Sequence, residues 1–345
     1  MLLRDKRRRL ASLMNGSGVS SVLERMARRP GLLVVNYHRI GDARDTHDFP
    51  GVFSATEPEF LEQVDHLARR YRPIDLTELI EVVDRGGSLQ EPRILFTFDD
   101  AYRDQGERAL PALIRRKIPA VLFVATGFLD DSRLPWWDLV SRVAGSTTRL
   151  IELELPNRPP LQFDPNTTPR PTIRDHLIQA LWETPGWDAE DVHHQLLQSS
   201  DVELNEAKET RSLFLDWEEV RRLRDQGVAI GSHTLGHRRL GELSDEEQAI
   251  ELGGSRRELT ARLGEPPLAI AYPFGGRNAV NDRTAALVEA AGYRLGFRFD
   301  GGINPGRIPH HQRFDLARVG VSWTDSTSMV RARSALLTAW RRTII

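Results

Sequence analysis

Asp99 and Asp100 stand side by side at the end of an apolar run, Ile94-Leu95-Phe96-Thr97-Phe98. Adjacent carboxylates repel, and a cation, a shared proton or water has to relieve the repulsion. Far along the chain, Ser232-His233-Thr234-Leu235-Gly236-His237 sets two histidines four residues apart behind a second apolar run, Val228-Ala229-Ile230-Gly231. On a helical turn that spacing puts both imidazoles on one side. Two neutral imidazoles and one carboxylate are a common donor set for a catalytic zinc, with positions left open for water and substrate. Either aspartate can supply the carboxylate, which leaves the other beside the ion as a base. The chain has no cysteine, so a metal must rest on His, Asp or Glu.

Residues this far apart need a scaffold that brings them together. Short apolar runs recur along the chain. Leu32–His38 follows Pro30-Gly31, and further runs are Ile94–Phe98, "IPAVLFVATGF", "GVAIGSHT", "PLAIAYPFG", "YRLGFRF" and "ARVGVSW". Helical patterns lie between them at 57–70, 106–116, 216–226, 244–263 and 281–291, and a capped helix ends at Gly86-Gly87. Strands alternating with helices indicate an α/β fold with parallel strands, and seven or eight such units fit a barrel better than an open sheet. Such a barrel builds its site at the C-terminal ends of its strands. His38, Asp99-Asp100, Thr126, His233 and Pro273 all follow strand patterns and are expected to meet there. Residues 132–213, with the Pro-rich "LPNRPPLQFDPNTTPRP" and a helical segment after it, break the rhythm and read as a mainly helical insertion.

The 345 residues carry a formal net charge of -2, which gives no basis for a nucleic-acid partner. No apolar run approaches the roughly 20 residues of a membrane span, and the basic N-terminus lacks a secretory apolar region. The expected location is cytoplasmic. Residues 1–30 read as a basic helical extension, solvated on the domain or lying on an anionic inner membrane face. Residues 31–345 read as the barrel.

Taken together, Thr97-Phe98-Asp99-Asp100, His233-Thr234-Leu235-Gly236-His237 and Tyr272-Pro273-Phe274-Gly275-Gly276 resemble the NodB-homology polysaccharide deacetylases, carbohydrate esterase family 4. Pro119-Ala120, Phe123-Val124 and Trp136-Trp137-Asp138 extend the resemblance to bacterial members linked to exopolysaccharide synthesis, and it covers most of 31–323. The resemblance implies a distorted (β/α)7 barrel of parallel strands and metal-dependent hydrolysis of an N-acetyl group on an amino sugar. The substrate would be an acetylated glycan or a lipid-linked sugar. By the same resemblance Asp100, His233 and His237 bind Zn2+ or another divalent transition metal, and Asp99 is the general base. The backbone near Phe274, in the Tyr272-Pro273-Phe274 loop, stabilises the oxyanion.

The pattern departs from the family at three points. Ala101 stands where glycine is common after the aspartate pair, a change that regular backbone would tolerate. The segment before Pro273 has no arginine to orient the base. No C-terminal Leu-x-His segment supplies the acid, although circularly rearranged relatives carry a Tyr-His near the N-terminus. That makes His38 the expected acid, ahead of His310 and His311. Trp323, Phe274 and Trp137 are the candidate apolar walls for the acetyl methyl. Two other readings share these residues: an O-acetyl esterase or deformylase, and a barrel that binds glycans without turnover.

Overall fold

In the computed structural model, described over residues 30–130, 133–276 and 279–340, the chain separates into two compact units. Of the described residues, one takes 30–41, Val52–Asp130 and 213–340; the other takes Asp42–Gly51 and 133–212. The extension expected over residues 1–30 lies outside the described residues, apart from Pro30.

The first unit is a ring of parallel strands: β1 (Gly31–Tyr37), β2 (Pro92–Asp99), β3 (Ala120–Val124), β4 (Ala229–Ser232), β5 (Ala269–Ala271), β6 (Leu295–Arg298), β7 (Leu316–Ala317) and β8 (Val319–Gly320). They pair in that order from β1 to β7. The seam is made by one stretch of chain that changes partner: Leu316 and Ala317 pair with Phe297 and Arg298 of β6, then Val319 and Gly320 pair with Val35 and Asn36 of β1. Counting β7 and β8 as one staggered strand, the ring is the (β/α)7 barrel expected from the sequence. A short antiparallel pairing of Asn304–Pro305 with Gly31–Leu32 covers the lower part of the same seam.

The period-two alternation of a strand sorts its side chains between the ring interior and the helices outside. Leu33, Val35, Ile94, Phe96, Phe98, Leu122 and Val124 face outward into a core shared with the helices Glu57–Arg70 and Trp217–Asp225. Leu32, Val34, Leu95, Val121, Phe123, Leu295, Phe297 and Leu316 fill the interior. The rings of Phe123 and Phe297 meet there, 5.5 Å apart, from strands that are not neighbours. Continued upward, the same alternation turns Asn36, Thr97 and Asp99 into the interior, so polar groups begin where the apolar filling ends.

The helix bounds follow familiar end signals. Glu57–Arg70 and Asp245–Leu263 begin with capping boxes at Thr56 and Ser244. Residues 105–115 differ from a simple helix, because the first turn, Gln105–Ala109, is π-helical before Leu110–Arg115 becomes α-helical. Turns of that kind tend to occur at functional sites.

The second unit packs the helices Trp136–Ser146, Arg170–Glu183, Ala189–Gln198 and most of Glu206–Leu213. Its Pro-rich stretch is more ordered than its composition suggests, since Ile151–Leu153 and Leu161–Phe163 form an antiparallel hairpin. Its two chain segments are joined by Arg142 to Asp48 at 2.6 Å and by the Phe49 N–H donating to Asp138 at 3.0 Å. Among the described residues no helix is long and apolar enough to cross a membrane.

Candidate active site

β2 ends at Asp99, whose side chain points into the barrel, and the next two residues turn left-handed with φ 75 at Asp100 and 65 at Ala101. That turn lets two consecutive carboxylates face the same place, which a continuing strand would forbid. The condition for tolerating Ala101, a regular backbone, is therefore not met: an alanine at this φ costs about 1 kcal/mol that glycine would not. The loop after β4 is similarly irregular, with φ 67 at Thr234 and 54 at His237, and Phe274 after β5 has φ 61. Among the described residues, five of the seven non-glycine positions with positive φ therefore lie in three loops at one end of the barrel. Strain of this kind persists where the surroundings over-determine it, and it clusters at functional sites.

These surroundings are visible around His233–His237. Glu251, buried on the helix Asp245–Leu263, accepts the N–H groups of Leu235 at 3.0 Å and Gly236 at 2.8 Å. Gly127 donates to the Leu235 carbonyl at 2.8 Å, and the Thr234 hydroxyl accepts the His237 N–H at 3.1 Å. The two histidines are thus held by a hydrogen-bonded loop and not by the helical turn their spacing suggests.

The loops converge. His233 Nε2 lies 3.5 Å from Asp100 Oδ1, and His237 Nε2 lies 3.4 Å from the same oxygen. One donor atom from each of the three residues falls within 4.8 Å of the others. The Ala271 carbonyl can only accept, so the 2.7 Å contact puts a proton on His233 Nδ1 and leaves the Nε2 lone pair facing the site. Burial lowers the pKa of both imidazoles, with Asp99 partly opposing it at His233 and His233 adding to it at His237. Both are therefore neutral near pH 7, as metal ligation requires. Two neutral nitrogens and a carboxylate oxygen fit a divalent ion such as zinc.

Asp99 Oδ2 also approaches His233, 3.6 Å from its Nε2. Arg318 donates to both Asp99 oxygens, Nη1 to Oδ1 at 2.7 Å and Nη2 to Oδ2 at 2.8 Å, and Asn36 donates to Oδ2 at 3.1 Å. Arg318 is the residue at which the last strand changes partner, and its Nη1 also reaches Asn36 Oδ1 at 3.0 Å. Burial alone would raise the Asp99 carboxyl. Arg318 and His233 outweigh it and hold the group well below the usual carboxylate range. The arginine missing before Pro273 is thus supplied from the end of the barrel sequence.

His38 Nε2 is 3.9 Å from Asp99 Oδ2. Gln105 ties the two strand ends together, its amide donating to the carbonyls of Asp99 at 2.6 Å and His38 at 3.1 Å. Burial lowers the His38 imidazole to about 4 against the pull of Asp99, while 26 % of its side-chain surface still meets solvent. His310 and His311 lie elsewhere: both are exposed on a 3-10 turn that leads into the start of β7, at the opposite end of the parallel strands.

The remaining expected residues divide. The Phe274 ring packs against His237 at 5.0 Å. The Tyr272 side chain turns away into the cluster of Leu240, Ile270 and Val288, its hydroxyl donating to the Phe314 carbonyl at 2.9 Å, so only its backbone borders the site. Pro273 is buried in the same loop. Trp137 packs on Trp136 in the second unit, and the Trp323 N–H donates to the Phe53 carbonyl at 2.9 Å.

The model of one protein family, described as polysaccharide deacetylase, matches residues 86–150 and 187–296, just over half of the chain. The chain belongs to the polysaccharide deacetylase family. YxkH of Bacillus subtilis strain 168, whose name places it in the same family, is 28% identical over 106 residues, which cover 30% of this chain and 36% of that protein. The Streptococcus pyogenes deacetylase PplD, solved in complex with acetate, shares the fold with a TM-score of 0.55 and 16% identity, over 88% of this chain and 96% of its own. IcaB from Ammonifex degensii gives 0.54 and 18% over 89% and 98%. A de-N-acetylase from Aggregatibacter actinomycetemcomitans gives 0.55 and 15% over 88% and 99%.

In this deacetylase-family chain, the residues that sequence reading misses are Arg318, Asn36, Gln105 and Glu251. A polar residue inside an apolar strand was the available signal for the first two: Asn36 ends "LLVVN" and Arg318 interrupts "LARVGV".

Arg318→Met removes the cation and leaves a buried carboxylate, which should cost about 3–5 kcal/mol in denaturant unfolding. The wild-type Asp99 contribution is present above the unfolded carboxyl pKa of about 3.9 and is lost as pH falls through the lower folded value. In the variant, burial acts without Arg318 and raises the carboxyl pKa, so the substitution costs most near pH 7 and less as pH falls and Asp99 takes up a proton. Unchanged stability at both pH 4 and pH 7 would show that the pair does not matter. Glu251→Ala should speed amide hydrogen exchange at Leu235 and Gly236 and weaken zinc binding, measured by chelator competition, by about 10–100-fold.

Proposed function

We propose that this protein is a hydrolase that removes an N-acetyl group from an amino sugar in a polysaccharide or glycan precursor. The observation that carries the reading is the meeting of Asp99, Asp100, His233, His237 and His38 at one end of a barrel with a deacetylase-family sequence. Asp100, His233 and His237 would hold a divalent ion, for which their donor atoms are suited. Such an ion, when bound, supplies Lewis acidity toward water and the acetyl carbonyl.

The chain's own groups account for the proton movements. Asp99 is kept ionised by Arg318, so it can accept a proton from the attacking water. A carboxylate made this acidic is a weak base and does not retain the proton. His38, neutral near pH 7 with Nε2 3.9 Å from Asp99, is the next acceptor. It then donates to the departing amine as the carbon–nitrogen bond breaks and acetate leaves. The backbone N–H near Phe274 is the proposed oxyanion donor. Arg318 and His38 stand where the sequence departs from the family's usual orienting arginine and acid, which supports turnover over a binding-only barrel.

Acetate release from N-acetylated oligosaccharides tests the reading. Activity should vanish with chelator and return with zinc. Asp99→Asn should lower kcat at least a hundredfold while zinc still binds. His38→Gln should slow amide hydrolysis by a similar factor and slow p-nitrophenyl acetate far less, because that leaving group needs no proton. Full activity in Asp99→Asn would remove the base assignment.

A further inference from the structure

Among the described residues, five large apolar side chains are more than a third exposed: Leu150, Trp182, Ile250, Leu268 and Phe299. Leu150 and Trp182 belong to the second unit, Ile250 lies on an outer helix, and Leu268 precedes a strand. Phe299 alone follows the C-terminal end of a barrel strand, β6, and its exposure there is 37%. Its ring centre is 6.1 Å from that of His38, with the planes at 80°, and 5.8 Å from the Arg318 guanidinium carbon.

The ring is held at this mouth by what its neighbours lack. The Phe299 N–H donates to the Gly275 carbonyl at 2.7 Å. A Cβ at Gly275 would meet the Phe299 nitrogen at 2.5 Å, and a Cβ at Gly320 would strike the ring itself. Gly275 is in the loop of Phe274, and Gly320 is in the strand that closes the barrel, so both close approaches come from elements that form the site. Leaving an apolar ring in water forgoes about 25 cal/mol for each Å2 that burial would remove. An aromatic ring left partly open next to the His38 imidazole is suited to a partner that is flat, has an apolar side and carries polar groups around its edge. A pyranose ring has this form: one face presents C–H groups that pack on the electron-rich face of an aromatic ring, and the hydroxyls and acetamido group project outward.

We propose that Phe299 is the stacking platform for the pyranose ring of the substrate, and that it sets affinity for the glycan. A sugar seated there has its substituents within reach of His38. The inference rests on the reading above for its substrate class, an N-acetylated amino sugar, and adds the surface that selects a ring-bearing substrate.

The test is calorimetric binding of β-1,4- and β-1,6-linked N-acetylglucosamine tetramers to the full chain in chelator, where no turnover occurs. Wild type is compared with Phe299→Leu and Phe299→Trp, each checked for a native thermal transition. Leucine keeps an apolar side chain beside Arg318 but has no flat face, so its affinity should fall about tenfold, while tryptophan should stay within about threefold of wild type. In acetate-release kinetics the leucine variant should raise KM more than it lowers kcat. The proposal is overturned if leucine binds as wild type does, if leucine and tryptophan weaken binding equally, or if wild type binds neither tetramer. Tetramer binding that depends on Phe299 without any acetate release by the zinc-loaded protein would sink the catalytic reading and leave the platform standing.

Discussion

The site depends on one buried ion pair. Asp99 and Arg318 are both almost fully removed from water, and each would be costly there alone. Their bidentate contact, with Asn36 bonded to both, makes the arrangement tolerable and also keeps the carboxylate ionised. Arg318 has a second duty, because it stands between the residues that pair with β6 and those that pair with β1. The guanidinium that sets the charge state of Asp99 is therefore fixed by the same backbone that closes the ring. The like-charge problem of two adjacent aspartates is divided accordingly: Asp99 is answered by a side chain of the protein, and Asp100 faces two imidazoles suited to share a cation with it.

A second constraint is geometric. Parallel strands deliver side chains to one end of a barrel but do not by themselves aim consecutive residues at one point. Left-handed turns at Asp100, Ala101, Thr234, His237 and Phe274 provide that aim. Each is held by local partners, most clearly by Glu251 beneath the histidine loop and by Gln105 across the ends of β1 and β2. Replacing these partners leaves the converging Asp and His side chains unchanged chemically while loosening the positions they share.

Much of this was legible in the sequence, for identifiable reasons. The strand–helix alternation survives in composition because both faces of each strand are buried. Asp99 with Asp100 and His233 with His237 are pairs close in sequence, so their types and spacing carry the message without a model of the fold. His38 was singled out from the strand it follows and from the family resemblance, and the structure puts its Nε2 3.9 Å from Asp99. Arg318 was not: its interruption of an apolar strand marks it as unusual, but its partner is 219 residues away and nothing local says which residue it meets. Tyr272 shows the opposite failure. It sits in a family motif, yet strand direction turns its ring into the core, and motif membership says nothing about which way a side chain points. The hairpin at 151–163 was hidden by prolines that its short strands avoid.

The seam has a bearing on how the protein is made. Among the described barrel strands β1 is the first in chain order and its partner, β8, is the last, with Val35 pairing to Val319. Until that late stretch is synthesised, β1 has an unfilled edge and Asp99 lacks its counter-ion, so neither the wall nor the chemistry can be completed by a partial chain. A contact of such sequence separation is slow to form, which makes the arrival of residues 316–320 the event that turns a nascent barrel into one able to act.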